Sequence, residues 1–363
     1  MLRFAAGAAS ALALASALAL TVTTPALADP PLPAATDIVG VGSGTTEMLF
    51  NRFSTDYNAS LAAAGDTTSP RLYSWDSTGS NEITTKAGAT PIVRPIRTDP
   101  GIVALNAYTS STVDFARSSR GPRTDDPSTD LFVAMAKDSV SWAAPAGGNA
   151  PANLTAAQLR DVFTCVKTNW RQIDPALPDA AIVPVLAGTL TVSRSGVAGL
   201  PSDSSAFFLT AIGYQSAVTA DNWTDHSCVR TVVRGDQGTD PVLHDPNAIV
   251  PYSVGRYVGQ VHGGHTGPGD EAGALTVRGL DGIAPVDQYQ QMSAQFGNSA
   301  YARVLYNVVR EAEWNSTDAH GRALRAVFGA GGWICRNATA TAAIRSHGFR
   351  SIPAGFCGST VHS

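Results

Sequence analysis

The chain has 363 residues, of which only 15% are charged, and its 25 Lys and Arg against 29 Asp and Glu leave a formal net charge of −4. That balance excludes the basic footprint of a nucleic-acid binder, and no block of Lys or Arg marks an anionic membrane surface. A chain of this length exceeds one ordinary core and predicts two lobes.

The first element is a leader. A lone positive charge, Arg3, precedes an apolar run from Phe4 to Val22 and then Pro25-Ala26-Leu27-Ala28. This is the pattern of a secretory signal peptide, with residues 1–28 removed after Ala28 and the mature chain exported. The break at Thr23-Thr24-Pro25 argues against an anchor, and no later run of about 18 apolar residues predicts a spanning helix. No cysteine stands at the cut to carry a lipid. Residues 29–36 read as a linker.

From there strands and helices alternate. Asp37–Val41 is a short apolar strand running into Gly42-Ser43-Gly44-Thr45-Thr46 and a helix with Met48, Leu49, Phe53 and Tyr57 on one face. Leu72–Trp75 is a second strand, followed by the turn Asp76–Ser80 and a short helix. A helix over Gly101–Tyr108 leads to the strand Val113–Ala116 and the polar run Arg117-Ser118-Ser119-Arg120. Leu131–Trp142 is a long strand. Leu154-Thr155-Ala156-Ala157-Gln158-Leu159 opens a helix with a capping box and a hydrophobic staple. Ile182–Leu186 is a strand, Gly188–Leu200 a loop, and Ser202-Asp203-Ser204-Ser205 another helix start. Ala248–Val250 is a strand, and Ser253 begins a helix through Val261. Residues 262–272 form a glycine-rich loop, and Tyr301–Arg310 and Gly321–Val327 supply late helices or strands. The alternation predicts an α/β fold with parallel sheets.

Four cysteines, Cys165, Cys228, Cys335 and Cys357, allow three pairings in an exported chain. The expected bonds are Cys165–Cys228 and Cys335–Cys357, neighbours in sequence and each within one lobe. Without a Cys-x-x-Cys spacing no zinc site is expected, and His262-Gly263-Gly264-His265 reads as an exposed loop rather than a metal site.

Three loops of small hydroxyl and glycine residues each follow a strand and open a helix: Ser43–Thr46, Ser77–Ser80 and Ser202–Ser205. Such loops offer free backbone N–H groups, hydroxyls and the positive end of a helix dipole, which together can hold an oxyanion. Ordinary N-capping explains any one of them equally well.

The chain resembles the phosphate-type extracellular solute-binding proteins of ABC transporters, in their actinobacterial secreted form. The resemblance rests on an ordered set of stretches over about residues 36–260. These are Gly40–Thr46, Thr78-Gly79-Ser80 with Ile83–Gly88, Val113–Pro122, Asn153–Leu159 with Thr168-Asn169-Trp170, Phe207-Phe208-Leu209 and Ile249–Gly255. It implies a two-lobed type II periplasmic-binding-protein fold, with two parallel or mixed sheets flanked by helices and joined by two crossing hinge strands near Ala136–Val140 and Val250–Val254. The implied division is 37–137 for the first lobe, 138–254 for the second, and 255–363 returning to the first. A small ligand would sit in the cleft, a permease would be the partner, and the protein would be monomeric.

Carried over position by position, the family's ligand loops match Gly44, Thr45 and Thr46, then Ser80, then Ser119 with Arg120, then Ser202 and Ser204. Two departures stand out. Arg117-Ser118-Ser119 replaces the family's Ala-Ser-Asp, whose Asp accepts a proton from phosphate. Pro201 and Asp203 stand where glycines would let the backbone approach an anion; one has no N–H and the other adds negative charge. Arg117, Arg120, Arg123 and Arg194 are candidates to compensate. The residues leave open phosphate, another oxyanion, a neutral polar ligand, or a secreted interaction protein on a retired binding fold. No Gly-x-Ser-x-Gly elbow, His-Glu-x-x-His or P-loop occurs, so an enzyme is not expected. A hydrolase stays as the lesser reading, and no cofactor is expected.

Overall fold

The computed structural model describes residues 29–193, 196–214, 227–267 and 269–362. The expected leader over residues 1–28 and Arg194 lie outside the described residues.

The buried apolar strand β1 (Ile38–Gly42) ends on Gly42, whose φ of 112° suits glycine. A Cβ there would meet the Arg117 carbonyl at 2.8 Å. The turn directs the chain into a single 3-10 turn, Gly44–Thr46, and then α1 (Glu47–Ala63). This helix buries Leu49, Phe50, Phe53 and Tyr57 at helical spacing. After β2 (Leu72–Ser74) the expected short helix is absent. Instead β3 (Glu82–Ile83) and β4 (Ile92–Val93) form an antiparallel pair. Ile83 and Ile92 point inward there while Glu82 and Val93 point outward, a period of two that a helix would scatter around its axis.

Next come α2 (Thr98–Ala107), β5 (Phe115–Ser118) and β6 (Asp130–Pro145), a 16-residue strand. Short β7 (Asn153–Leu154) precedes α3 (Ala156–Phe163), which begins with both hydrogen bonds of the Thr155/Gln158 capping box. The segment read as a loop is instead a hairpin of β8 (Val183–Ser193) and β9 (Gly196–Pro201), paired from Gly188–Pro201 to Ser193–Gly196. Its threonines and valines favour an extended ladder over a loop despite its glycines.

Then follow α4 (Asp203–Ala211), β10 (Arg230–Val232), β11 (Ala248–Ser253) and α5 (Val254–Val261). The remainder is β12 (Leu275–Val277), β13 (Gly279–Leu280), β14 (Ala302–Arg310), α6 (Glu311–Asn315), α7 (Ala319–Phe328), α8 (Trp333–Arg336), α9 (Ala338–Ser346), β15 (Arg350–Ser351) and β16 (Thr360–Val361).

The main sheet runs β10-β8-β11-β6-β14-β5-β1-β2. Strands β1, β2 and β5 pair in parallel, as do β8, β10 and β11. The long β6 lies between the two parallel sets. It pairs antiparallel with β14 over Asp130–Ser139 and with β11 over Val140–Ala143. The apolar core follows the same split. One cluster contains Trp142, Phe163, Trp170 and Phe208, and two others gather around Phe50, Phe115 and Phe328 and around Val39, Val41 and Ile102.

Residues 255–363 were expected to return together to the first set. However, Tyr257, Val258, Leu275, Met292 and Phe296 belong to the Trp142 cluster. The amphipathic α5 turns Val254, Tyr257 and Val258 onto that cluster, and the chain rejoins the first set at β14. Disulfides join Cys165 to Cys228 and Cys335 to Cys357, with Cα separations of 5.9 and 5.6 Å. Among the described residues no helix is long and apolar enough to cross a membrane.

Candidate functional site

In an open α/β sheet, ligands bind beyond the carboxyl ends of the strands. Here Ser43 follows β1, Ser119 follows β5 and Ser77 lies just beyond β2. From the other set, Arg234 follows β10, Ser253 ends β11, and Ser202 caps α4. All six line one cavity of about 200 Å³.

The first side is built from hydroxyls. Ser43 accepts from the Thr45 N–H (3.3 Å) and donates to the Ser119 hydroxyl (3.1 Å). Gly44 and Thr45 line the cavity. Thr46 is fully buried beneath them, and its hydroxyl has no hydrogen-bond partner among the described residues. On the other side Ser202 accepts from the Ser205 N–H (3.1 Å), the N-cap bond that starts α4. Ser204 accepts from Arg303 (2.9 Å). Both serines line the cavity.

Asp203 changes the character of the site. Its carboxylate reaches across and accepts from the Ser119 hydroxyl (2.7 Å) and from the Thr98 hydroxyl. A carboxylate thus already occupies donors that a bound anion would otherwise take.

Besides Thr46, two expected contacts lie off the cavity lining. Ser80 is exposed; its hydroxyl donates to the Glu82 carbonyl (2.6 Å) and accepts from Arg94 (3.1 Å). No helix follows it to aim N–H groups at a ligand. Arg120 is held by Asp99 and Asp126, each at 2.7 Å, and its guanidinium lies over the Phe132 ring, away from the cavity. Of the other arginines, Arg117 is buried and donates to the Ser43, Gly42 and Trp75 carbonyls, bracing the first loop from behind. Arg123 pairs with Asp99.

The cationic groups that do line the cavity are Arg97, Arg234 and Arg256, none of them anticipated from the sequence. Arg234 is tied to Asp236 (2.9 Å), Glu47 (3.1 Å) and Ser77 (3.3 Å), joining the two sides. Glu47 also accepts from the Ser77 N–H and hydroxyl at 2.8 and 2.5 Å.

Arg256 is 1% exposed. One of its terminal nitrogens donates to Asp270, but its Nε and its other terminal nitrogen have no hydrogen-bond partner among the described residues. The Asp236 carboxylate lies 3.9 Å from Nε. Burial pushes Asp236 up, yet Arg234 and Arg256 outweigh it and hold this carboxyl below the usual range. Burial dominates at Asp270, raising it to about 6 despite Arg256. The weak sequence signal for Arg256 was its place three residues after the capping Ser253, on the first turn of a helix entering the cleft.

The sequence matches no family model and no curated protein. The fold, by contrast, has clear counterparts among solved structures. An ABC-type phosphate transport receptor from Vibrio cholerae superposes with a TM-score of 0.53 at 15% identity, covering 87% of this chain and 100% of the other. A putative phosphate ABC transporter substrate-binding protein from Clostridium perfringens, solved with bound phosphate, gives 0.55 at 14%, covering 87% and 100%. A phosphate-binding protein from Stenotrophomonas maltophilia gives 0.52 at 13%, covering 88% and 91%. The chain therefore shares the fold of phosphate ABC transporter substrate-binding proteins along most of its length.

Proposed function

We propose that this chain is an exported solute-binding protein that holds a small oxyanion, phosphate or a close relative, in the cleft between the two parallel strand sets and presents it to an ABC permease. The observation that carries this reading is Arg256: a guanidinium 1% exposed, lining the cavity, with two of its nitrogens making no hydrogen bond among the described residues. Buried donors rarely stay unpaired, and each exception needs an explanation. An oxyanion would supply one. The hydroxyl loops at Ser43–Thr45 and Ser202–Ser204 add donors on either side, and fold neighbours whose structures hold phosphate support the ligand class.

One observation favours a second reading. Asp203 already accepts from Ser119 and Thr98, so the cleft is latched by its own carboxylate, as a binding fold kept for protein contacts would be. A thermal-shift panel on protein unfolded and refolded to strip any ligand separates the two. Phosphate, sulfate and neutral sugars are added at millimolar concentration. A ligand at 100 times its dissociation constant adds about 2.7 kcal/mol of stability. A shift with oxyanions but not sugars is expected; no shift with any of them would favour the latched reading.

A further inference from the structure

The cavity is larger and less uniformly polar than a bare tetrahedral anion requires. At about 200 Å³ it has room for several waters. Its rim carries two apolar side chains, Ile96 and Val233, one from each strand set and 38% and 64% exposed. Among the described residues neither joins a core cluster. Each directly precedes an arginine that also lines the cavity, Arg97 and Arg234, so the chain sets an apolar lip beside a guanidinium twice.

The polar donors come from three separate elements: the Ser43–Thr45 turn, the Ser202–Ser204 helix start and Arg256 on α5. Three donor sets around one cavity suit a tetrahedral group with three free oxygens better than a planar carboxylate. The fourth direction of such a group is left for the lips.

We infer that the ligand is a substituted oxyanion, a phosphate monoester or phosphonate, with its charged group among these donors and its organic arm between Ile96 and Val233. This rests on the oxyanion reading of the cleft. Covering apolar surface on both ligand and lips favours binding in proportion to the area removed from water, a gain that inorganic phosphate cannot make.

The test is calorimetric titration of the ligand-stripped chain with inorganic phosphate and with phenylphosphonate, in the natural protein and in the Ile96→Ser/Val233→Ser double variant. Both positions are exposed, so the variant should fold. The natural protein is expected to bind phenylphosphonate at least about tenfold more tightly, and the double variant to lose that advantage with phosphate affinity unchanged. Phosphate binding as tightly as phenylphosphonate, or a double variant that weakens both equally or neither, would overturn the inference while leaving the oxyanion reading intact. Binding of neither anion by the natural protein would remove the oxyanion reading itself.

Discussion

Arg256→Gln is expected to weaken oxyanion binding by about 100-fold or more, a loss of about 2.7 kcal/mol, while the chain still folds. The loss follows from removing a buried guanidinium that lines the cavity and has nitrogens without a hydrogen bond among the described residues. Charge-assisted hydrogen bonds in such a place are roughly twice as strong as neutral ones. Folding survives because Asp270 still accepts from the Gln260 amide (2.6 Å) and its own carboxyl can take a proton. Burial already raises that group to about 6 with Arg256 beside it, and without the guanidinium it rises further.

The sign of the pH effect follows. A carboxyl whose folded pKa lies above its unfolded value binds more protons when folded, so its contribution is present at low pH and lost as pH rises through the folded pKa. The variant should therefore lose more stability than the natural protein between pH 6 and pH 8. Calorimetry gives the binding loss and thermal melts at the two pH values give the stability difference. Unchanged affinity in a folded variant would exclude Arg256 from the site.

Asp138→Ala is expected to cost about 3–5 kcal/mol of stability. Asp138 is fully buried near the point where β6 changes partners from β14 to β11. It accepts from the Ser253 hydroxyl (2.8 Å), the Gly255 N–H (3.1 Å) and two Arg303 nitrogens (2.8 and 3.1 Å). Removing it strands Arg303, 4% exposed in its side chain, without a counter-ion. Burying an unpaired charge is far costlier than removing both partners, so Asp138→Leu with Arg303→Met should recover most of the loss. Urea denaturation of the single and double variants measures both. A single-variant cost below about 1 kcal/mol would mean that the pair is not desolvated as its burial implies.

The frame was legible where local chemistry is self-contained. The capping box at Thr155 and Gln158 specifies a helix start from four residues, and the structure has it. The apolar runs of β1, β5 and β6 likewise announce buried strands. The ends of regular elements were harder to read. Ser77–Ser80 looks like a helix start in sequence, yet Ile83 and Ile92 pair across a hairpin nine residues apart, a contact that the turn residues themselves do not announce. Glycines at 188, 196 and 199 suggested a loop, but strand pairing overrode them.

Charge was the least legible part, because a side chain's partner is set by the tertiary fold. Arg120 looked available from its neighbours in sequence and is satisfied by Asp99, 21 positions earlier. Arg234 finds Glu47 at a separation of 187. Asp203 read simply as a charge opposed to an anion. Its role as the acceptor for Ser119, 84 residues away, is visible only once the two strand sets face each other.

The most direct measurement is anomalous diffraction from crystals of the ligand-stripped chain grown with arsenate, a heavy-atom stand-in for phosphate. The account predicts one arsenic peak inside the cleft, its oxygens within about 3 Å of the free Arg256 nitrogens and close to the Ser43–Thr45 and Ser202–Ser204 loops. A cleft without arsenic, with Asp203 still bound to Ser119 and Thr98, would contradict it.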